Sequence, residues 1–250
     1  MKEVKEDWSS IYRREKINIK KEIEEINFFG GNINKVLLEC FKPGDIILEA
    51  GCGTGKFCFW LEERGVQAIG IDIVPGIIKV AANYARDAGF QSPFMVGDVS
   101  KLPFRDNTFD GYISLGVIEH FRQITDVIET LNEAKRVLKQ GGKMVIVVPN
   151  IFVPLRNKIL LYVSHGKWGL FHEFYTIDSM SKLGLFISSN FKIAILDMWL
   201  PVYNIIDGIL KRIGFREELL SRIKLAFIKL PSMPLLKYFL GYICLIVEKP

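Results

Sequence analysis

Short apolar runs alternate with helically spaced segments between residues 43 and 150. A run such as Ile46–Ala50 keeps its apolar residues almost consecutive, which is typical of a parallel strand buried on both faces. The segments between the runs repeat apolar residues every three or four positions, as amphipathic helices do. This alternation predicts βα units and an α/β fold with a mostly parallel sheet.

Strands and helices are predicted at defined places in this region. The strands are Ile46–Ala50, Ala68–Ile73, Pro93–Gly97, Phe109–Leu115 and Lys143–Pro149, and the helices are Lys56–Arg64, Gly76–Ala88 and Thr125–Lys139. We expect Gly141-Gly142 to close the last helix. Crossover helices between such strands produce an open, doubly wound sheet with its ligand crevice beyond the carboxyl ends of the strands.

The remaining segments are predicted to surround this sheet. Residues 1–42 are predicted to form an N-terminal helical segment, and residues 43–198 the core, which continues through a helix at Ile177–Ser188 and a strand at Phe191–Leu196. Residues 199–240 are predicted to form a helical cap insertion, and residues 241–250 the last core strand. Connections this long are often lids or binding surfaces.

Composition limits the class of protein. With 250 residues, 49% of them hydrophobic, the chain can bury a sizeable core. Its net charge of +5 comes without a Lys/Arg run that carries interleaved aromatics, so nucleic-acid binding is not indicated. The charged first residues lead into no apolar region, and the stretch Tyr238–Val247 is shorter than the ~20 residues of a spanning helix. We expect a cytoplasmic protein.

The cysteines do not indicate a metal site. Cys40, Cys52, Cys58 and Cys244 form no CxxC pair and have no histidine at ligand spacing. We expect buried, reduced thiols and no bound metal.

A glycine-rich segment follows the first predicted strand. Gly51, Gly53 and Gly55 would let the backbone turn tightly and approach a ligand without an intervening Cβ. The same pattern is also found in ordinary strand-to-helix turns, so it does not indicate a nucleotide site by itself.

Carboxylates end the next two strands. Asp72 is placed to accept hydrogen bonds from both ribose hydroxyls of a nucleoside, and Asp98 to accept the exocyclic amine of adenine. Each aspartate could instead cap the helix or turn that follows it. Three ligand-type groups at three consecutive strand ends, however, are hard to obtain from independent capping needs.

As an ordered set, these motifs resemble the class I S-adenosylmethionine-dependent methyltransferases, especially the type 11 or ubiquinone/menaquinone-methyltransferase-like group. The resemblance covers roughly Pro43 to Asn150, and its motifs are Ile47–Gly55, Asp72, Gly97–Phe104, Phe109-Asp110, Gly116–His120 and Glu133–Gly142. It implies a Rossmann-like sheet with an antiparallel last strand at Tyr242–Glu248, and S-adenosylmethionine as the cofactor.

The resemblance also implies a role for each cofactor-site residue. The loop of Gly51, Gly53 and Gly55 would run close to the methionine part of the cofactor, and Glu49 would help to position the ammonium group of that part. Asp72 would hold the ribose, and Asp98 and the Val99 amide would recognise adenine. Ile73 would pack on the adenine ring, and the Leu115-Gly116 backbone would face the methionyl end.

The sequence alone does not assign a catalytic residue. His120, His172 and Tyr175 are candidate bases, as are Glu119 and Glu173, but a histidine beside such a pocket more often packs or lines it. Trp8 and Tyr12 are predicted either to fold over the cofactor as a lid or to pin a helix to the sheet.

Two other functions also fit the sequence. The first is an NAD(P)-dependent oxidoreductase, although its third fingerprint glycine would fall at Lys56. The second is a non-catalytic module that kept the fold and lost its acceptor site.

The acceptor is predicted from residues 199–240, which combine many apolar side chains with lysines and arginines. Such an insertion would cover a hydrophobic acceptor or rest on an anionic membrane surface, unless it is a cap that buries its own apolar face on the sheet. We expect a small, bulky or lipid-like acceptor rather than nucleic acid. The oligomeric state is not predicted.

Overall fold

A seven-stranded sheet forms the centre of the fold in the computed structural model, which describes residues 8–9, 17–29, 31–149, 175–196 and 242–250. The strands are β1 (Ile46–Ala50), β2 (Gln67–Asp72), β3 (Phe94–Val96), β4 (Phe109–Leu115), β5 (Leu138–Pro149), β6 (Phe191–Leu196) and β7 (Tyr242–Glu248). Their order is β3-β2-β1-β4-β5-β7-β6. Strands β1 to β5 are parallel, and β7 pairs antiparallel with both β5 and β6. The predicted doubly wound sheet with an antiparallel last strand is therefore confirmed.

Helices cover both faces of this sheet. They are α1 (Ile19–Phe29), α2 (Gly31–Cys40), α3 (Lys56–Glu62), α4 (Pro75–Ala88), α5 (Ile124–Val137) and α6 (Ile177–Ile187), with a 3₁₀ turn at Ile118–His120. In β1, Leu48 packs in the cluster that contains α5 and α6, whereas Ile47 packs in the cluster that contains α2 and α3. Apolar side chains on both sides of one strand explain its nearly uninterrupted apolar sequence.

The switch point of the sheet lies between β1 and β4. From β1 the chain proceeds outwards to β2 and β3, and then returns to β4 on the other side of β1. In such sheets the ligand crevice opens where the strand order reverses, beyond the carboxyl ends of the strands. The ends of β1, β2 and β4 therefore position the candidate site.

One predicted helix end is wrong. Helix α5 ends at Val137 rather than Lys139, and Gly141-Gly142 lies within β5. Leu138 already pairs with Phe109, and the register then shifts before Lys143 pairs with Gly111. Gly141, at a φ of 71°, belongs to this irregular start of the strand and donates its N–H to the Lys249 carbonyl at 2.9 Å. The glycine pair thus serves a strand irregularity instead of a helix end.

Several predictions concern residues outside the described ranges. These are the cap insertion at 199–240, residues 1–7, 10–16 and 30 of the N-terminal segment, which include Tyr12, and His172 and Glu173. Within the described ranges, no helix combines the length and the apolar character needed to cross a membrane.

Arg136, in the last turn of α5, fixes the connection that follows β3. Its guanidinium donates to Glu133 Oε1 at 2.7 Å and Asp106 Oδ1 at 2.8 Å, and to the carbonyls of Phe104 and Leu102 at 2.7 and 3.0 Å. We expect Arg136→Met to lower the free energy of unfolding by about 2 to 4 kcal/mol, because the half-buried Glu133 and the carbonyls lose a charged donor. Urea denaturation measures this change.

Arg86→Met is the matched control for that substitution. Arg86 also lies near the end of a helix, but its side chain is 73% exposed. Its replacement is expected to change the free energy of unfolding by less than about 0.5 kcal/mol. Equal losses in the two variants would show that the Arg136 network does not stabilise the fold.

Candidate cofactor site

The glycine-rich loop connects β1 to α3. Gly51, Gly53 and Gly55 have φ values of 75°, 53° and 75°, a left-handed conformation that side chains other than glycine rarely adopt. A Cβ at Gly51 would also overlap with the Val117 side chain, and a Cβ at Gly55 would overlap with the Phe94 ring. The loop therefore needs glycine both for its backbone conformation and for its close packing against the segments that follow β4 and begin β3.

Asp72 ties this loop to the end of β2. Its Oδ2 accepts the Gly53 N–H and its Oδ1 accepts the Val74 N–H, both at 2.9 Å. Val74 directly precedes α4, whose first turn has no side-chain cap, so the alternative in which Asp72 caps this helix is not met. Each carboxylate oxygen has a further lone pair, so the side chain can still accept ribose hydroxyls. Burial raises the pKa of Asp72, and the Val74 and Gly53 N–H groups partly oppose that effect.

Glu49 lies near the carboxyl end of β1, where its side chain is 3% exposed. Its Oε2 accepts both the N–H of Cys58, at 3.0 Å, and the thiol of the same residue, at 2.9 Å. Burial raises the pKa of Glu49 to about 7, although these two hydrogen bonds act in the opposite direction. Cys58 thus holds one carboxyl oxygen in place, and contact with an ammonium group stays a prediction for this side chain.

The predicted adenine-binding residues lie at the next strand ends. Asp98 Oδ1 accepts the N–H and the hydroxyl of Ser100 at 2.8 and 2.7 Å, which is the local capping geometry expected as the alternative. Gly97 donates its N–H to the Asp72 carbonyl at 2.9 Å, so the ends of β2 and β3 are held together. Val99 is buried, and Ile73 and Asp98 are half-buried. A role in adenine recognition stays a prediction.

On the other side of the switch point, β4 ends at Leu115 and Gly116 follows with a φ of 76°. The Gly116 N–H donates to the Val147 carbonyl at 2.9 Å. All predicted cofactor residues therefore lie on the strand ends, or directly after them, at one edge of the sheet: Glu49, Gly51, Gly53, Gly55, Asp72, Ile73, Asp98, Val99, Leu115 and Gly116.

A contact that the sequence did not predict joins the N-terminal region to this loop. Thr54, the buried residue between two loop glycines, donates its hydroxyl to Glu22 Oε2 at 2.6 Å. Glu22 lies in the first turn of α1. In the sequence it appears as one of several interleaved charges of an amphipathic helix, and no spacing rule singles it out.

Comparison with known proteins agrees with this geometry. Residues 48–146 match the sequence profile of a family described as a methyltransferase domain. This range contains all the predicted cofactor residues. Residues 48–146 therefore form a methyltransferase domain.

Named relatives of this methyltransferase domain differ in what their names say they methylate. A probable tRNA methyltransferase 9B of Mus musculus is 34% identical over 143 residues, which cover 51% of this chain and 30% of the mouse protein. A demethylmenaquinone methyltransferase of Thermus thermophilus is 32% identical over 148 residues, covering 58% of this chain and 60% of that protein. The chain thus spans less than two thirds of the length of these relatives.

A solved structure supports the fold of the methyltransferase domain. Phosphoethanolamine N-methyltransferase 2 of Haemonchus contortus, in complex with S-adenosyl-L-methionine, superposes with a TM-score of 0.61 at 17% identity. The match covers 88% of this chain and 53% of that one. At this identity the likeness shows the shared fold alone.

Three of the candidate bases, Glu119, His120 and Tyr175, lie in or against the 3₁₀ turn after β4. His120 ends this turn, is buried, and packs edge to face against Trp8 with ring centroids 5.0 Å apart. The Tyr175 hydroxyl lies 3.5 Å from the Ile118 carbonyl, at the limit of a hydrogen bond. The N-terminal segment at Trp8 therefore reaches the switch point of the methyltransferase domain, while the catalytic roles of His120 and Tyr175 stay predictions.

Glu119, in the middle of the same turn, is a buried carboxyl group with one oxygen that lacks a hydrogen-bond partner among the described residues. Its side chain is 3% exposed, and that oxygen is Oε2. Burial raises its pKa to about 8. The sequence marks Glu119 only as one of several candidate bases, because burial of a carboxyl group in a turn cannot be derived from spacing.

Two buried carboxyl groups with raised pKa values make stability dependent on pH. The pKa is about 7 for Glu49 and about 8 for Glu119, compared with roughly 4.3 for an unfolded glutamate. The folded protein then binds more protons than the unfolded chain, so the free energy of unfolding falls as pH rises from about 4.5 to about 8. We expect Glu119→Gln to reduce this slope by up to about 1.4 kcal/mol per pH unit, as measured by urea denaturation at intervals from pH 5 to pH 8.

Glu129→Gln supplies the matched control, because Glu129 is exposed on α5. That variant is expected to keep the slope of the original protein. If Glu119→Gln also keeps it, the Glu119 carboxyl titrates near its ordinary pKa.

Proposed function

We propose that this chain transfers a methyl group from S-adenosylmethionine to a small, bulky or lipid-like acceptor. The observation that carries the proposal is the arrangement of Gly51, Gly53 and Asp72 at the switch point. There, a loop of left-handed glycines is fastened by a buried carboxylate that keeps lone pairs for a ribose. The methyltransferase-domain match over residues 48–146 supports the same activity.

The residues of the site fit this cofactor in chemical terms. When bound, S-adenosylmethionine supplies a methyl group activated by the positive charge of its sulfur. Asp72 would hold the ribose in one orientation, and Asp98 with the Val99 amide would bind the adenine edge. The glycine loop would admit the methionyl part close to the backbone. Orientation and exclusion of water by these residues can supply much of the rate acceleration, about 7 to 11 kcal/mol for well-aligned reactants.

Two features support a lipid-like acceptor. One is the apolar and basic composition of residues 199–240, and the other is the demethylmenaquinone methyltransferase among the relatives. The probable tRNA methyltransferase relatives favour nucleic acid instead. The chain carries no Lys/Arg run with interleaved aromatics, so a small, bulky or lipid-like acceptor is favoured over nucleic acid.

Cofactor identity is tested by calorimetric titration of the protein with S-adenosylmethionine and, separately, with NAD⁺. We expect binding of the first and none of the second. The opposite result would replace the methyltransferase proposal with an oxidoreductase, and binding of neither would contradict the proposed function.

The acceptor class is tested with methyl-labelled S-adenosylmethionine and a cell extract divided into organic-soluble, aqueous small-molecule and RNA fractions. Label is expected in the organic-soluble fraction. Label in RNA alone would overturn the acceptor proposal and leave the methyltransferase activity standing. Cofactor binding with no labelled product in any fraction would favour a non-catalytic module.

Contact with a membrane is a separate proposal, based on the same basic and apolar residues 199–240. If this segment rests on a membrane surface, the protein should sediment with vesicles containing anionic lipid and should be released by salt. Vesicles of neutral lipid alone are the control. Absence from the anionic vesicle pellet would exclude membrane contact, and the segment would then either cover the acceptor or bury its own apolar face on the sheet.

A further inference from the structure

Glu119 presents a buried carboxyl group at the switch point of the sheet. It follows β4 by four residues, and its Oε1 lies 3.4 Å from the position that a Cβ would take at Gly116. The neighbouring Val117 packs against the space that Gly51 leaves beside the glycine loop. Glu119 therefore lies in the turn that faces the candidate cofactor site across the crevice between β1 and β4.

A buried polar atom without a partner needs an explanation. Glu119 is only 3% exposed, and its Oε2 has no hydrogen-bond partner among the described residues. Leaving such an atom unsatisfied costs about 1 to 3 kcal/mol, and more when the group is charged. Such a group in a folded protein has a specific cause, such as local strain, a catalytic role, or a water, ion or ligand that binds there. The remaining buried carboxyl groups at the site, Glu49 and Asp72, each have backbone partners.

The charge balance at this edge of the sheet indicates which ligand group would use Glu119. Among the described titratable groups, His120 is the next residue, and the Tyr175 hydroxyl lies 3.5 Å from the Ile118 carbonyl of the same turn. Glu49 and Asp72 lie at the carboxyl ends of β1 and β2. Arg122, two residues beyond His120, is exposed. Among the described residues, no charged group contributes to the pKa of Glu119, which burial raises to about 8. Within the described part of the chain, a ligand is therefore the remaining source of a cation for this carboxyl.

We propose that Glu119 is the charge partner of the sulfonium group of the methyl donor, and that it loses a proton when the donor binds. This inference rests on the proposed function, which supplies a cationic sulfur at the same crevice. In the free protein the Glu119 carboxyl is protonated. Binding of the cation converts it to a carboxylate and releases one proton to the solvent, so charge and atoms balance.

The product of methyl transfer would interact less favourably with Glu119 than the donor does. S-adenosylhomocysteine keeps the adenosine, ammonium and carboxylate groups of the donor, but its sulfur is uncharged. Once the methyl group has been transferred, the attraction between the sulfur and the Glu119 carboxylate is lost, and the carboxyl group takes up a proton again. Glu119 would thus favour the donor over the product through charge rather than through shape.

Calorimetry of the full chain can measure this proton directly. The protein is titrated at pH 7 with S-adenosylmethionine and with S-adenosylhomocysteine in two buffers of different ionisation enthalpy, and the difference in heat gives the protons released. We expect S-adenosylmethionine to release between about half and one proton more than S-adenosylhomocysteine. From pH 6 to pH 7, the ratio of the two affinities should shift towards S-adenosylmethionine by up to about tenfold.

Glu119→Gln and Glu129→Gln provide the matched pair of variants. In Glu119→Gln the excess proton and the pH-dependent affinity ratio should both disappear, while S-adenosylhomocysteine binding stays within about threefold of the original. Glu129→Gln, on an exposed helix position, should behave as the original protein does. Protons linked to Glu49 would appear with both ligands, because both carry the ammonium group.

The outcomes separate this inference from the proposed function. Equal proton release by the two ligands, in a protein that binds both, would overturn the role of Glu119 and leave the methyltransferase proposal intact. Failure to bind either ligand would contradict the proposed function itself. The comparison of ligands in the original protein needs no variant, so the test remains decisive even if Glu119→Gln does not fold.

Discussion

Asp72→Ala is expected to weaken S-adenosylmethionine binding by about 100-fold or more. A charged acceptor for two ribose hydroxyls would be lost, and each hydrogen bond to a charged group contributes about 1.5 to 3 kcal/mol before water compensates. The structure adds a second loss, because Asp72 also accepts the Gly53 and Val74 N–H groups at 2.9 Å. Without it the glycine loop would no longer be fastened to β2. Calorimetric titration of the folded variant measures the affinity.

Asp110→Ala is the control for that experiment. Asp110 also lies in the sheet, but at the amino end of β4, where Oδ2 accepts the Ile46 N–H at 2.9 Å and Oδ1 accepts Lys139 Nζ at 2.7 Å. Its loss is expected to lower stability and leave cofactor affinity unchanged. An Asp72→Ala protein that folds and binds S-adenosylmethionine as tightly as the original would remove Asp72 from the site.

The sheet could be predicted from the sequence because each strand has a local cause. The near-continuous apolar run at Ile46–Ala50 requires burial on both faces, and Ile47 and Leu48 do pack in two different clusters. Glycine pairs are less informative, since they suit a helix end and a strand irregularity equally well. Gly141-Gly142 belongs to the second kind, and only the pairing of Leu138 with Phe109 shows it.

The cofactor edge was predictable for a similar reason, and its internal contacts were not. Parallel strands place their carboxyl ends together, so glycines and aspartates after successive strands must lie close to one another. The Cys58 thiol donates to Glu49, which lies 9 positions away in the sequence. The Thr54 hydroxyl donates to Glu22, which lies 32 positions away. Such contacts depend on how helices α3 and α1 pack against the sheet. The spacing of apolar residues in the sequence does not determine that packing. The isolation of Glu119 in its turn has the same origin.

Gly51→Ala is expected to lower the free energy of unfolding by about 2 to 5 kcal/mol. The left-handed backbone at a φ of 75° costs an alanine about 1 to 2 kcal/mol. The new Cβ would also overlap with Val117, and such overpacking costs about 1 to 3 kcal/mol more. Urea denaturation measures the loss, and a calorimetric titration is expected to show weaker S-adenosylmethionine binding because the loop is displaced.

A double-mutant cycle with Val117→Ala separates the two causes. Removing the Val117 methyl groups should relieve the overlap but not the backbone strain, so Gly51→Ala in the Val117→Ala background is expected to cost only about 1 to 2 kcal/mol. The coupling between the two positions would then be about 1 to 3 kcal/mol. Additive losses would mean that the turn after β4 does not press on the glycine loop. In that case, the glycine loop and the turn would not approach each other closely across the β1–β4 crevice. The placement of Glu119 beside the cofactor depends on the same approach and would lose its support.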